Sequence, residues 1–128
     1  MAIANVVIAD ATPVTPVNHT FVPIADGKNM RWINDTGAQT LAGQETLAVD
    51  VNRSVNAKEP HTSSLKIYDP VEILGVGGTY AVDHSCSSDV RFKFATNSTA
   101  QERLNQVRMT KNALTALETY LSGPIPWL

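Results

Sequence analysis

The sequence predicts an α+β fold, strand-rich through about residue 95 and ending in one long helix. Three observations carry this. Apolar side chains alternate with period two in three segments, the period changes to that of a helix after Thr99, and Gly, Pro, Asn and Asp clusters separate the strand segments.

Residues 6–9 form the first predicted strand and residues 20–24 the second, an N-terminal hairpin. Pro13 and Pro16 belong to the connection or to a strand edge, because proline cannot donate to a ladder. Ala25-Asp26-Gly27-Lys28 is a turn, residues 30–34 are a further strand, and Asp35-Thr36-Gly37 breaks the chain again. Leu47, Val49 and Val51 then share one face, with Ala48, Asp50, Asn52 and Ser54 on the other. In the same way Leu65 and Ile67 oppose Ser64, Lys66 and Tyr68, while Val90, Phe92 and Phe94 oppose Asp89, Arg91 and Lys93. Another strand spans residues 71–74 or resumes near residues 80–82, with Gly75, Gly77 and Gly78 making a mobile loop between. The pattern describes an antiparallel sheet with one apolar and one wet face. Over residues 99–121, Leu104, Val107, Leu114, Leu117 and Leu121 fall on one helical stripe. Ser98 with Gln101 suits a capping box, and Gly123-Pro124 stops the helix.

A chain of 128 residues with 43% hydrophobic and 17% charged residues is one folded domain, with hairpin and sheet in residues 1–95 and helix and tail in 96–128. Ten basic against twelve acidic residues give a charge of −2, so no global basic field exists and any nucleic-acid contact must come from a local patch. The single cysteine, Cys86, excludes an intrachain disulfide and a multi-cysteine metal site, and suits a reducing cytoplasm; an interchain bridge stays open. The first ten residues lack the basic start of a signal peptide, and no apolar run approaches the ~20 residues of a membrane helix.

The dimensions point to a dimer. Five strands at ~4.8 Å make a sheet about 20–24 Å wide, whereas one helix covers about 10–12 Å. The uncovered apolar face needs either the helix of a symmetry-related chain, or the chain's own hairpin or tail (residues 125–128) folded over it.

The segment Ser88-Asp89-Val90-Arg91-Phe92-Lys93-Phe94-Ala95-Thr96-Asn97-Ser98-Thr99-Ala100-Gln101-Glu102-Arg103 resembles the last strand and helix start of coat proteins of single-stranded RNA bacteriophages, the levivirus family, in its Q-beta-like form. Trp32-Ile33, Leu65-Lys66-Ile67-Tyr68-Asp69-Pro70, Val76-Gly77-Gly78 and Gly123-Pro124-Ile125-Pro126 fall in the family's order, so the resemblance spans about three quarters of the chain. It implies a hairpin, a five-stranded antiparallel sheet and C-terminal helices interlocked with those of a partner, two sheets joining into one of ten strands. It further implies an icosahedral shell around the RNA genome, assembled in the bacterial host cytoplasm, with no catalysis, cofactor or metal. The wet face, turned inward, is implied to bind an RNA hairpin that represses replicase translation and directs packaging. The loop at Gly75 to Gly78 is implied to gather at five-fold and quasi-six-fold vertices.

On that face strand parity places Ala48, Asp50 and Asn52, then Thr62, Ser64 and Lys66, then Ser87, Asp89 and Arg91. Lys66 and Arg91 suit phosphate, with Lys93 extending the patch, while Asn52, Ser64 and Ser87 suit sugar or base edges. Asp50 and Asp89 oppose phosphate, and a solvated sheet face carries such residues in any case. The family often stacks a base on a tyrosine of the last strand; Ser87 stands at the matching position, which leaves Tyr68 or His84 as substitutes. The chain also ends two residues after Pro126, so the family's second short helix is absent or merged, and Ile125 and Trp127 inherit its interface role; truncating residues 124–128 is expected to weaken assembly.

Other constellations are weak. His19, His61 and His84 have no metal-pair spacing and read as surface or loop residues, and Cys86 has no activating motif. Two further functions fit the outline: a small α+β dimeric ligand-binding domain or enzyme with a pocket under its helix, and an RNA-binding regulator that does not assemble. Against an enzyme, the apolar face of Val, Ile, Leu and Phe is expected to hold no paired acid and base.

Overall fold

The computed structural model describes residues 3–34, 36–53 and 60–123. Asp35, Ser54 and the tail from Pro124, to which the sequence reading assigns a turn, a sheet position and a helix stop with an interface role, lie outside the described residues. The elements are β1 (Val6–Ala9), β2 (Asn18–Ala25), β3 (Asn29–Asn34), β4 (Glu45–Asn52), β5 (His61–Leu74), β6 (Tyr80–Phe94), α1 (Ala100–Ala116) and α2 (Glu118–Ser122). All six strands belong to one antiparallel sheet in chain order, so each strand lies beside its predecessor.

The hairpin is not separate from the sheet. β2 changes partner midway: Asn18 to Phe21 pair with β1, and Val22 onward pairs with β3. The register shifts between Pro23 and Ala25, where only β3 flanks the strand, so the missing proline N–H breaks no second ladder. This change of partner brings the hairpin over the apolar face. Phe21, Trp32 and Leu47 form a buried core, with Ile3, Val6, Ile8, Met30, Val49, Leu65 and Ile67 packed around it. The Trp32 indole Nε1 donates to the Ala4 carbonyl at 2.9 Å, pinning the N-terminal segment to β3. The chain's own hairpin therefore covers part of the apolar face, the part over β3 to β5.

β5 and β6 are longer than the sequence predicts. The short strands expected at residues 65–68 and 71–74 are one element, and β6 runs unbroken from residue 80 to 94. Pro70 is tolerated inside β5 because pairing with β4 ends at Tyr68, so the strand is flanked only by β6 beyond that point. That exposed side is tied to the loop after β3: the Glu72 carboxylate accepts from Gln39 N at 2.8 Å and Thr40 Oγ1 at 2.7 Å. Gly43 sits where a Cβ would collide with the Glu72 side chain. Between β5 and β6, Gly77 and Gly78 have φ of 97° and 81°, a region side chains resist, and Gly75 N donates to Thr79 O at 2.7 Å to close the turn.

The helix cap lies one residue beyond the expected one. Thr99 caps α1, its Oγ1 accepting from Glu102 N at 3.2 Å, while Ser98 donates its hydroxyl to Ala95 O at 2.7 Å. The expected single helix is interrupted at Leu117 (φ −107°, ψ 11°), and α2 follows at once. No residue of α1 is buried: Leu104, Val107, Leu114 and Leu117 are 40–50% exposed. The apolar stripe is real, but it does not rest on the chain's own sheet. The accessible surface, 9736 Å² for 13.8 kDa, is about half as large again as the roughly 6,600 Å² of a folded monomer of that mass.

Candidate nucleic-acid interface

Residues paired across an antiparallel ladder carry their side chains on one face, so the register assembles the wet face in rows. Thr46, Tyr68 and Ser87 form the first row across β4, β5 and β6. Ala48, Lys66 and Asp89 form the second, Asp50, Ser64 and Arg91 the third, and Asn52, Thr62 and Lys93 the fourth. Every residue placed here by parity, Asn52, Thr62, Ser64, Lys66, Ser87, Asp89 and Arg91, falls in this one grid. At about 3.4 Å per residue and ~4.8 Å per strand it measures roughly 20 Å by 10 Å. Asn52, Lys66, Ser87, Asp89 and Arg91 are exposed, and Thr62 and Ser64 half-buried.

β3 adds a residue that parity missed. Arg31 pairs with Ala48 and so extends the second row. Its Nη1 lies 2.7 Å from Asp50 Oδ1, a diagonal contact between neighbouring strands. The contact changes the charge balance of the face. Asp50, which alone would repel phosphate, is paired internally, leaving Lys66, Arg91 and Lys93 against Asp89. Among the described residues these three cations make no ion pair. Arg31 escaped notice because its strand does not alternate cleanly: apolar Ile33 shares its face, opposite Thr46.

Tyr68 stands 37% exposed in the first row, directly across from Ser87. The neighbouring hydroxyl side chains are small and leave its ring open. His84 does not join it: it pairs with Val71 on the opposite face, and its Nδ1 lies 2.7 Å from Asp83 Oδ2. Of the two expected substitutes for a stacking tyrosine, Tyr68 lies on the wet face and His84 does not.

The apolar face holds a polar group that the sequence reading does not anticipate. His19 sits in β2 with Nε2 2.7 Å from Asp10 Oδ2 and Nδ1 2.9 Å from Glu45 Oε1. Histidine and carboxylates do pair on that face, and His19 is no loose surface residue. Its partners come from residues 9 and 26 positions away, which no local motif displays.

An open crevice of about 610 Å³ lies where α1 leaves the sheet, bordered by Val51, His61, Phe94, Arg103, Leu104 and Val107. Phe92 and Phe94 lie beside it with ring centroids 6.1 Å apart.

The family model for "Levivirus coat protein" matches residues 1–125. No curated protein sequence matches the chain. Among solved structures it is similar to the virus-like particle chain of bacteriophage NT-214, with a TM-score of 0.84 at 23% identity over 100% of both chains. The virus-like particle chain of bacteriophage ESE058 gives 0.83 at 23% identity, over 100% of this chain and 99% of that one. The protein capsid of bacteriophage GA gives 0.63 at 12% identity, over 95% and 88%. These likenesses agree on the six-strand sheet followed by a C-terminal helix. The family match over residues 1–125 carries the assignment: the chain belongs to the levivirus coat protein family and is a structural, non-enzymatic component of the virion.

Proposed function

We propose that two copies join along β6 to give one sheet of ten strands, β2 to β6 from each, and that these dimers close into an icosahedral shell around single-stranded RNA. The observation that carries this reading is α1. An apolar stripe with no buried residue, beside a crevice lined by Val51, Phe94 and Leu104, needs a covering element, and the helix of a second copy has the matching surface. The edge of β6 supports the same pairing: its fifteen residues have β5 on one side and, among the described residues, no strand on the other, which forms a template for another strand. The similar chains of NT-214 and ESE058 come from virus-like particles. Within the family, the 88–103 segment favours the Q-beta-like coat proteins.

The wet face, on this reading, turns inward and binds an RNA hairpin of the genome, repressing replicase translation and marking the RNA for packaging. Lys66, Arg91 and Lys93 contact phosphate, Asn52, Thr62, Ser64 and Ser87 contact sugar or base edges, and Asp89 accepts from a base amino group. Tyr68 offers the stacking surface.

Electron microscopy of the purified recombinant chain tests assembly: uniform shells a few hundred ångströms across are expected, and a compact monomer under assembly conditions would sink the proposal. A ligand-binding domain has one observation in its favour, the crevice at α1. Under assembly it is filled by the partner's helix, so a dimer whose crevice stays open to a small apolar dye would favour the ligand instead.

A further inference from the structure

We propose that His19 is a proton-operated latch: in its protonated form it clamps the β1–β2 hairpin onto the sheet, and loss of the proton releases the hairpin from β4.

The geometry carries this. Both ring nitrogens face carboxylate oxygens, Nε2 toward Asp10 at 2.7 Å and Nδ1 toward Glu45 at 2.9 Å. Carboxylates only accept, so both contacts are attractive only when both nitrogens bear hydrogen, which is the imidazolium. A neutral ring has one lone pair, and that lone pair then faces an anion. The two carboxylates belong to different parts of the fold. Asp10 ends the first hairpin strand and closes the loop, its Oδ1 accepting from Thr12 N at 2.9 Å and Val17 N at 2.8 Å. Glu45 begins β4 and also accepts from the Asn34 amide at 3.1 Å. His19 is therefore a side-chain link between hairpin and β4, at the margin of the apolar contact with Trp32 and Leu47.

The surroundings amplify the effect of the proton. β3 contributes only the neutral Asn34, but β5 contributes Asp69, whose carboxyl is pushed up by burial and then by the charge of Glu45. Without the imidazolium, Asp10, Glu45 and Asp69 face one another with no cation between them. The hydrogen bonds that His19 donates to Asp10 and Glu45 hold its pKa above the ordinary histidine range. The folded chain thus binds this proton more tightly than the unfolded chain. The resulting stability is complete below the ordinary histidine pKa and is lost as pH rises through the raised value. Asp10 works in the other direction: His19 first, then the Thr12 and Val17 groups, hold it far below the usual carboxylate range, so its contribution is full above the ordinary carboxylate pKa and is lost as pH falls toward the depressed value. The latch is closed below the ordinary histidine pKa and opens as pH rises through the raised value.

The test is amide hydrogen exchange on the assembled full-length chain across that range, corrected for intrinsic base catalysis. Protection of the residue 6–9 and 18–21 amides is expected to fall by up to about tenfold per pH unit above the ordinary histidine pKa and then level off. Protection in β5 should stay constant. His19→Gln should remove the slope, and Asp69→Asn should make it shallower. Should His19→Gln fail to fold, nitrogen NMR of the imidazole in the wild-type chain decides: both nitrogens predominantly protonated at a pH equal to the ordinary histidine pKa support the latch. A neutral ring at that pH, flat wild-type protection, or the same slope in His19→Gln overturns it.

Discussion

Arg31 and Asp50 are held together across the wet face, Nη1 to Oδ1 at 2.7 Å, one strand apart and two residues out of register. Both side chains are about a third exposed or more, 39% and 32%, so the pair contributes at most about 1 kcal/mol to folding. Its larger effect is on the field seen by a polyanion. Arg31→Gln uncovers the Asp50 carboxylate beside Ser64 and Arg91, and RNA affinity is expected to fall roughly tenfold at low salt, with a smaller loss at high salt where screening acts over less than about 10 Å. Arg31→Gln with Asp50→Asn restores most of the affinity. Anisotropy titrations of a fluorescent RNA hairpin across salt concentrations measure both; a single variant as tight as wild type at low salt removes Arg31 from the account.

Lys66 and Arg91 occupy adjacent rows on neighbouring strands, and neither has an acidic partner among the described residues. Replacing both by alanine leaves two phosphates without a cation. The slope of log affinity against log salt should flatten by about one unit for each phosphate no longer neutralised, with affinity falling uniformly across RNA sequences. Replacing Lys111 on the helix serves as the control. Identical slopes for wild type and the double variant would mean that the opposite face meets the RNA.

Tyr68 tests base recognition rather than charge. An alanine there should cost about 1–3 kcal/mol if the ring stacks on a base, while phenylalanine should preserve binding because stacking uses the ring and not the hydroxyl. The salt slope should be unchanged in both variants. That separation from the cation variants is what distinguishes a stacking platform from general loosening of the face. Phenylalanine binding as weakly as alanine would assign the role to the hydroxyl.

The sheet was legible where one face is apolar along its length. Leu47, Val49 and Val51 alternate with polar residues because one face carries the hairpin and its core while the other is wet, and parity alone then places Lys66, Asp89 and Arg91 together on the wet face. The same parity argues against His84, an even number in a strand whose wet-face residues are odd. β3 was harder to read, because Ile33 puts an apolar residue on the wet side and hides Arg31. The cap was misplaced by one residue because Ser98 with Gln101 and Thr99 with Glu102 have the same spacing; the choice is made by Ser98 bonding back to Ala95. The His19 network was invisible for a different reason. It joins residues 10, 19, 34 and 45, which meet only once β2 has changed partner and carried the hairpin across the sheet.

Val14 at the hairpin tip has φ of 73° and is fully exposed, and Thr15 N donates to Pro13 O at 2.9 Å, closing a three-residue turn around it. A β-branched residue with positive φ is strained, and no burial compensates here. Val14→Gly should relieve that strain and stabilise the chain by about 1 kcal/mol, less the entropy that glycine adds to the unfolded state. Thermal melts of the assembled protein and its variant show the difference. A lower melting temperature would mean that Val14 is held by contacts outside the single chain, such as a neighbour in the shell.

Val107 and Leu114 lie almost directly above one another on α1 and are 40% and 47% exposed in the single chain. Since they cover nothing in their own sheet, replacing both by aspartate costs the isolated fold little. In a dimer each would lose about 1.5–3 kcal/mol of burial, and each substitution occurs twice, so association should weaken by several orders of magnitude. Asn112→Asp, on the opposite side of the helix, should leave association unchanged. Light scattering on the purified variants reads this directly: a folded monomer from Val107→Asp with Leu114→Asp and dimers or shells from Asn112→Asp place the stripe in the interface. Shells from the double variant would mean that β6 pairing alone holds the two copies together.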